Sequence, residues 1–175
     1  FLESTLIPFF EKNPNFLNEN IDKVLHISIE DYTGFFTCEF LKHPKVNINR
    51  NSTGIIDFSL LESSLYLSNS RSFEFILKMP DIDLKSEGYK KLIPFSFACA
   101  MSVNTKFIDL LFNHPNFSID PMYALDISAL FGASYILKYV INHFNDVSII
   151  CSEITMVKII KNGFLYTLKI MLNYY

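Results

Sequence analysis

Hydrophobic residues recur along the chain with helical spacing in short runs, most clearly between Leu92 and Asp120. Apolar side chains at positions 107, 108, 110, 111 and 112 surround the polar Asp109, which is the spacing of an amphipathic helix rather than of a strand. A short apolar stretch opened by Pro94 comes before this helix, and His114-Pro115 ends it. The next residues alternate between apolar and polar, as in an extended chain. The pattern predicts a unit of helix, short turn, helix and extended loop.

The same unit recurs through the chain. A proline closes an apolar helix-like run at Asn13-Pro14, His43-Pro44, Met79-Pro80 and His114-Pro115, at intervals of 30 to 36 residues. Later, Gly132 and Gly163 each precede an apolar run with a lysine six residues on. A glycine suits a tight turn between two antiparallel helices. The predicted helix pairs are 21–30 with 33–42, 56–66 with 71–78, 94–101 with 105–113, 123–131 with 134–143, and 154–161 with 164–173.

A repeat period of this size is typical of stacked helical arrays. We therefore predict one array over residues 1–175, in which residues 1–14 are a truncated repeat or a cap. The approximate repeats are 15–44, 45–80, 81–115, 116–145 and 146–175. Because the chain opens on Phe1 and its last helix is apolar, we expect it to be a piece of a longer protein.

These residues resemble the ankyrin repeat family. Ile93-Pro94-Phe95-Ser96-Phe97-Ala98-Cys99 resembles the Thr-Pro-Leu-His-x-Ala-Ala opening of an ankyrin repeat, and Phe107 to Phe112 resembles its second helix. Residues 124–132 are similar to the same opening, and residues 49–54 and 85–88 are similar to the hairpin finger between repeats. No copy has the full Thr-Pro-Leu-His, so the bonds that brace the usual finger are not expected. The resemblance implies an all-α repeat solenoid of stacked helix-turn-helix units with extended or β-turn finger loops. A tetratricopeptide-like solenoid and a unique α fold remain open alternatives.

Composition narrows the class of function. A formal net charge of −3 offers no basic face for nucleic acid. The apolar runs are shorter than the roughly 18 residues that a membrane-spanning helix needs. Cys38, Cys99 and Cys151 are far apart in apolar segments, so we expect buried, reduced thiols and a cytoplasmic location.

The sequence carries no recognisable catalytic or phosphate-binding motif, so we expect no enzyme activity and no cofactor. His43 and His114 share one repeat position, with His143 close to it. Such histidines could form a metal-binding or pH-sensing ridge, or they could simply favour helix ends through the helix dipole. Neighbours in a stack would lie about 10 Å apart, too far to hold one ion together, so we expect no metal site.

The resemblance implies a non-catalytic protein–protein interaction module or scaffold, with a partner bound on the concave face of fingers and first helices. The alternative is a structural spacer or a self-assembling segment of a longer array. Self-association would use exposed apolar terminal helices, where the chain carries Leu168, Ile170, Met171, Leu172, Tyr174 and Tyr175. The predicted partner-binding residues, an aromatic and charged set, are Asp83, Lys85, Tyr89, Lys90, Lys91, Phe97, Asp120, Met122, Tyr123 and Phe131.

Overall fold

The computed structural model describes residues 8–30, 33–43, 46–49, 58–85, 92–144 and 152–174. Two compact units divide the chain, unit 1 over Phe1–Ile82 and unit 2 over Asp83–Tyr175. Helix α1 covers 8–12. The helices that follow are α2 (Pro14–Ser28), α3 (Phe35–Leu41), α4 (Leu60–Tyr66), α5 (Ser70–Leu77), α6 (Pro94–Ala100), α7 (Thr105–Phe112), α8 (Pro121–Leu130), α9 (Ser134–His143), α10 (Glu153–Lys161) and α11 (Leu165–Tyr174).

Within the described ranges, helices α2 to α11 form five consecutive pairs, which confirms the predicted helix pairs. Two starts differ from the prediction by more than two residues. Helix α2 begins at Pro14 because proline is well tolerated in the first helical turn. Helix α4 begins at Leu60 because Ser59 and Glu62 form a capping box: Ser59 N donates to Glu62 Oε2 at 2.8 Å, and Glu62 N donates to Ser59 Oγ at 3.2 Å. The repeat boundaries, and the grouping of all 175 residues into one array, stay predictions.

The turn inside each of the five pairs contains a residue with left-handed backbone conformation. These residues are Gly34, Ser68, Ser102, Gly132 and Gly163, with φ between 49° and 69°. Each marks the turn between the two helices of its pair. At Gly132 the absence of a side chain also prevents a steric clash, because a Cβ there would lie 2.9 Å from the ring of Phe164.

Unit 1 packs α2 and α3 against α4 and α5. Its core holds buried apolar side chains such as Leu25 and Phe73, but buried hydroxyls also link the two pairs. Thr37 Oγ1 donates to the Ser28 carbonyl at 3.0 Å and lies 3.0 Å from Ser72 Oγ, all fully or nearly fully buried. Because Thr37 has a single hydroxyl hydrogen, Ser72 donates to it in turn.

Unit 2 stacks α6, α8 and α10 in one layer and α7, α9 and α11 in a second. Its interior is mostly apolar, with Ile108, Leu111 and Leu137 fully buried. Cys99 in α6 is also fully buried, and this burial raises the pKa of its thiol well above the usual value, so the thiol stays protonated. The expected burial is thus confirmed for Cys99, while Cys38 is half-buried and Cys151 lies outside the described residues.

Candidate functional site

Four of the ten predicted site residues are either buried or outside the described residues. Tyr89, Lys90 and Lys91 lie outside the described residues. Phe97 is only 2% exposed, so the prediction that it points into a groove is wrong. The reason is that α6 is buried along every side from Pro94 to Cys99, so no residue of that stretch is available to a partner.

The other six lie in unit 2, in three places. Asp83 and Lys85 are exposed at a bend in the chain, where Lys85 N donates to Asp83 Oδ1 at 2.9 Å. Asp120, Met122 and Tyr123 lie together at the start of α8. Phe131 is half-buried at the other end of α8, about 12 Å from Tyr123 along the helix axis. The structure therefore groups three of the predicted residues at one spot.

The start of α8 is held rigidly by its own sequence. Asp120 is the N-cap, and its Oδ1 accepts a hydrogen bond from Tyr123 N at 2.8 Å. Pro121 follows at the first helical position, where its fixed φ suits the helix. Met122 and Tyr123 project from this turn as exposed large side chains.

Tyr123 is anchored at its far end as well. Its hydroxyl lies 3.0 Å from Oγ of Ser96, a fully buried residue of α6, while 41% of the residue remains exposed. The ring is therefore fixed across two helices before any partner arrives. A fixed aromatic loses less conformational entropy on binding than a mobile one does.

Helix α10 extends the same surface. Ser152 N, at its N-cap, donates to Asp126 Oδ1 of α8 at 3.3 Å. Ile154 is 68% exposed and Val157 is also exposed. Ile154 stands nine residues before Gly163, as Tyr123 stands nine before Gly132, so both side chains leave the same side of their helices. The α8–α10 face is defined here as Asp120, Met122, Tyr123, Ile154 and Val157.

Sequence reasoning missed Ile154 and Val157. The signal that could have found Ile154 was the 31-residue interval between Gly132 and Gly163, applied to Tyr123. That interval leads directly from the predicted aromatic in one first helix to an apolar residue in the next.

Two cavities in the described parts of the chain share no lining residue with this face. In unit 2, a cavity of about 310 Å³ sits at the helix–helix turns and includes Ser102, Ser134 and Tyr166 in its lining. In unit 1, a cavity of about 340 Å³ lies between segments 46–49 and 79–81, which Asn49 Nδ2 joins by donating to the Asp81 carbonyl at 2.6 Å. Neither lining contains an imidazole, a thiol or a pair of carboxylates.

The histidines of the predicted ridge make local contacts. His143 meets the ring of Phe112 edge-on, with 4.6 Å between centroids, and His114 Nδ1 accepts from Asn116 N at 3.2 Å. Among the described residues, no three His, Cys, Asp or Glu side chains are placed to share a metal ion. In the same part of the chain, no helix combines the length and the apolar character that spanning a bilayer requires.

No family model matches the sequence, and no curated protein matches it. Among solved structures, the chain is similar to the crystal structure of the human ASB11 ankyrin repeat domain. The TM-score is 0.60 at 12% sequence identity, and the match covers 85% of this chain and 67% of that one. Together with the paired helices, this similarity confirms the predicted fold class. The chain is an all-α repeat solenoid with an ankyrin-like fold.

Proposed function

We propose that this chain is a non-catalytic protein–protein interaction module that binds its partner through the α8–α10 face. The observation that carries the proposal is the cluster of exposed apolar side chains on two contacting first helices. Met122, Tyr123, Ile154 and Val157 all project from α8 and α10. A group of large apolar side chains exposed together on a surface is typical of a binding site.

The make-up of the face suits recognition of another protein. Interfaces favour a fixed aromatic at the centre and polar groups at the rim. Tyr123 supplies the fixed aromatic, and the exposed carboxylate of Asp120 lies beside it. The best-fitting partner is a segment with apolar side chains that cover Tyr123 and Ile154. The similarity to an ankyrin repeat domain supports a role of this kind.

The remaining predicted residues would form a secondary contact area. Asp83 and Lys85 are exposed and would contact the same partner. Tyr89, Lys90 and Lys91 lie outside the described residues, and their role in partner binding stays a prediction. Phe131 would contribute only to a partner long enough to follow α8 along its length.

Affinity capture with quantitative mass spectrometry tests the proposal. Tyr123→Ala/Ile154→Ala removes the two largest contributions of the face. The matched control, Tyr135→Ala/Ile27→Ala, removes the same residue types from exposed positions elsewhere. We expect a partner that both the wild type and the control retain and that the variant loses by roughly 10-fold or more.

Two other outcomes would reject the proposal. Equal retention by all three proteins would show that the partner binds elsewhere. A wild-type chain that retains no specific partner would favour the structural spacer. Binding of the purified partner, measured by calorimetry with the same three proteins, would then quantify the loss.

A further inference from the structure

The cavity of about 310 Å³ in unit 2 has an apolar floor and a rim of hydroxyl groups. Three buried apolar side chains form the floor, and four side chains that carry a hydroxyl stand around it. The floor residues are Val103, Ala133 and Ile136, and the rim residues are Ser102, Ser134, Tyr135 and Tyr166. Among the described residues that line the cavity, none has a charged side chain. The lining therefore suits an uncharged apolar group with hydrogen-bonding edges better than it suits an ion.

Two exposed tyrosines border the cavity from equivalent positions of neighbouring helices. Tyr135 is the second residue of α9 and Tyr166 is the second residue of α11, and these two helices pack against each other. The axes of packed helices lie about 8–10 Å apart, so we expect a similar interval between the two residues. Because Tyr135 is 74% exposed and Tyr166 is 51% exposed, both rings are accessible to an incoming group.

Lys138 holds one of these rings in place. Its Nζ donates to the Tyr166 hydroxyl at 2.7 Å and lies 5.0 Å from the centroid of the same ring. Because this hydroxyl accepts from the lysine, its own hydrogen can point outward as a donor. A ring that is already tied to the neighbouring helix loses less conformational entropy when a partner binds.

Ser102 adds a hydroxyl to the rim at a conformational cost. Its φ of 49° lies in the left-handed region, which a residue with a Cβ rarely adopts. The corresponding turns of the next two pairs hold Gly132 and Gly163, and glycine adopts this conformation without strain. Serine is thus the less stable choice for the turn, and what it adds is a donor at the edge of the cavity.

We propose that this cavity binds a proline-rich segment of a partner protein in the polyproline II conformation. In this conformation the chain rises about 3.1 Å per residue with three residues per turn, so every third proline ring lies about 9 Å further along the same side. That interval matches the expected spacing of Tyr135 and Tyr166. Proline rings are apolar, as is the floor, and proline offers a carbonyl acceptor but no N–H, which suits a rim of hydroxyl donors. Grooves lined by aromatic residues are a common docking site for such segments.

Titration of the isotope-labelled chain with a synthetic proline decamer, followed by two-dimensional NMR, tests the proposal. We expect saturable shifts of the amide signals of the lining residues, at 102–103, 132–136 and 166. A glycine–serine decamer of the same length should cause none, because it has neither the rings nor the preorganised conformation.

Substitutions at the rim separate the contributions of the rings and the hydroxyls. Tyr135→Ala/Tyr166→Ala removes both rings and should weaken binding of the proline decamer by roughly 10-fold or more. Tyr166→Phe keeps the ring and removes one donor, so the loss should be smaller, roughly 5-fold. Ser102→Gly should weaken binding by roughly 3-fold while it raises Tm, because it removes the rim hydroxyl and the backbone strain together. The matched control, Tyr66→Ala/Tyr174→Ala, removes two exposed tyrosines outside the cavity and should bind the decamer as the wild type does.

This site and the α8–α10 face can fail separately, because they share no residue. Tyr135→Ala/Tyr166→Ala should keep the partner proposed for the α8–α10 face. Tyr123→Ala/Ile154→Ala should lose that partner while it still binds the proline decamer.

A wild-type chain whose signals do not shift with the proline decamer would overturn the proposal. Equal shifts with the glycine–serine decamer would also overturn it, since the site would then not recognise proline. If Tyr135→Ala/Tyr166→Ala binds the decamer as tightly as the wild type does, the peptide binds elsewhere and the assignment to this cavity is rejected.

Discussion

Unit 1 and the first two pairs of unit 2 place opposite chemistry at the same point of the repeat. The third residue of the second helix is Thr37 in α3 and Ser72 in α5, whereas it is Phe107 in α7 and Ile136 in α9. In α11 the position holds a hydroxyl again, that of Thr167. All five are buried. In unit 1 the two hydroxyls join neighbouring pairs by a hydrogen bond, and in α7 and α9 the position belongs to the apolar core.

The comparison shows that this fold accepts either hydrogen-bonded hydroxyls or packed apolar side chains at this position. Buried hydroxyls are stable only if each one is paired, and a buried aromatic is stable only if its volume is filled. Unit 2 still links α7 to α9 through a polar pair, but it does so near the surface, where Tyr139 donates to Asp109 Oδ1 at 2.8 Å. Different substitutions should therefore destabilise the two units.

The largest effect is expected when a buried hydroxyl, as found in unit 1, replaces a buried apolar side chain of unit 2. Phe107→Thr removes a buried ring and leaves a hydroxyl in an apolar core, so the free energy of unfolding should fall by about 4 kcal/mol or more. Urea denaturation followed by circular dichroism measures the change. Lys106→Thr, at the exposed neighbouring position, should stay within about 0.5 kcal/mol of the wild type. A loss below about 1 kcal/mol for Phe107→Thr would mean that the core accepts a hydroxyl there, and the comparison would collapse.

A smaller effect is expected when one half of the hydroxyl link in unit 1 is removed. Thr37→Val keeps the shape but leaves the Ser72 hydroxyl and the Ser28 carbonyl without this partner, which should cost about 1–3 kcal/mol. Adding Ser72→Ala removes the stranded hydroxyl, so the double variant should be more stable than Thr37→Val alone. A double-mutant cycle in urea measures the coupling. Strictly additive losses would show that the 3.0 Å contact contributes nothing specific.

The smallest effect is expected at the surface link of unit 2. Burial, together with the hydrogen bond to Asp109, raises the pKa of Tyr139 to about 12. Because the folded state favours the neutral phenol, the contribution is complete below the unfolded pKa near 10 and is lost as the pH rises through 12. Tyr139→Phe should therefore cost about 1 kcal/mol at pH 7 and less at pH 11. Paired urea titrations at the two pH values check this, and an unchanged difference would assign the effect to packing.

The helix pairs were predictable because their signals are local. Pro94 at a first helical position and His114-Pro115 after the last one bracket α6 and α7 almost to the residue. The prediction for α2 was wrong at its start because Pro14 was interpreted as the end of a preceding helix, although proline also begins helices. The start of α4 was missed although Ser59 and Glu62 have the spacing of a capping box.

The candidate site was less predictable because exposure depends on what lies opposite. Pro94 to Cys99 form a nearly all-apolar stretch, so periodicity could not show whether Phe97 faces water. The Asp120 cap and the exposure of Met122 and Tyr123 fit their predicted surface positions. The bond from Tyr123 to Ser96 joins residues 27 positions apart, and such a pairing has no local signature.

The buried thiol of Cys99 can report how often the folded chain opens locally. A thiol-specific reagent reacts with the thiolate, and Cys99 is both protonated and out of reach in the folded chain. Its modification rate, followed by peptide mass spectrometry, would therefore report how often the helices around α6 separate. When the reagent is in large excess, each opening leads to modification, so the modification rate of Cys99 equals the opening rate. A single cysteine can therefore measure how often unit 2 opens without any added label.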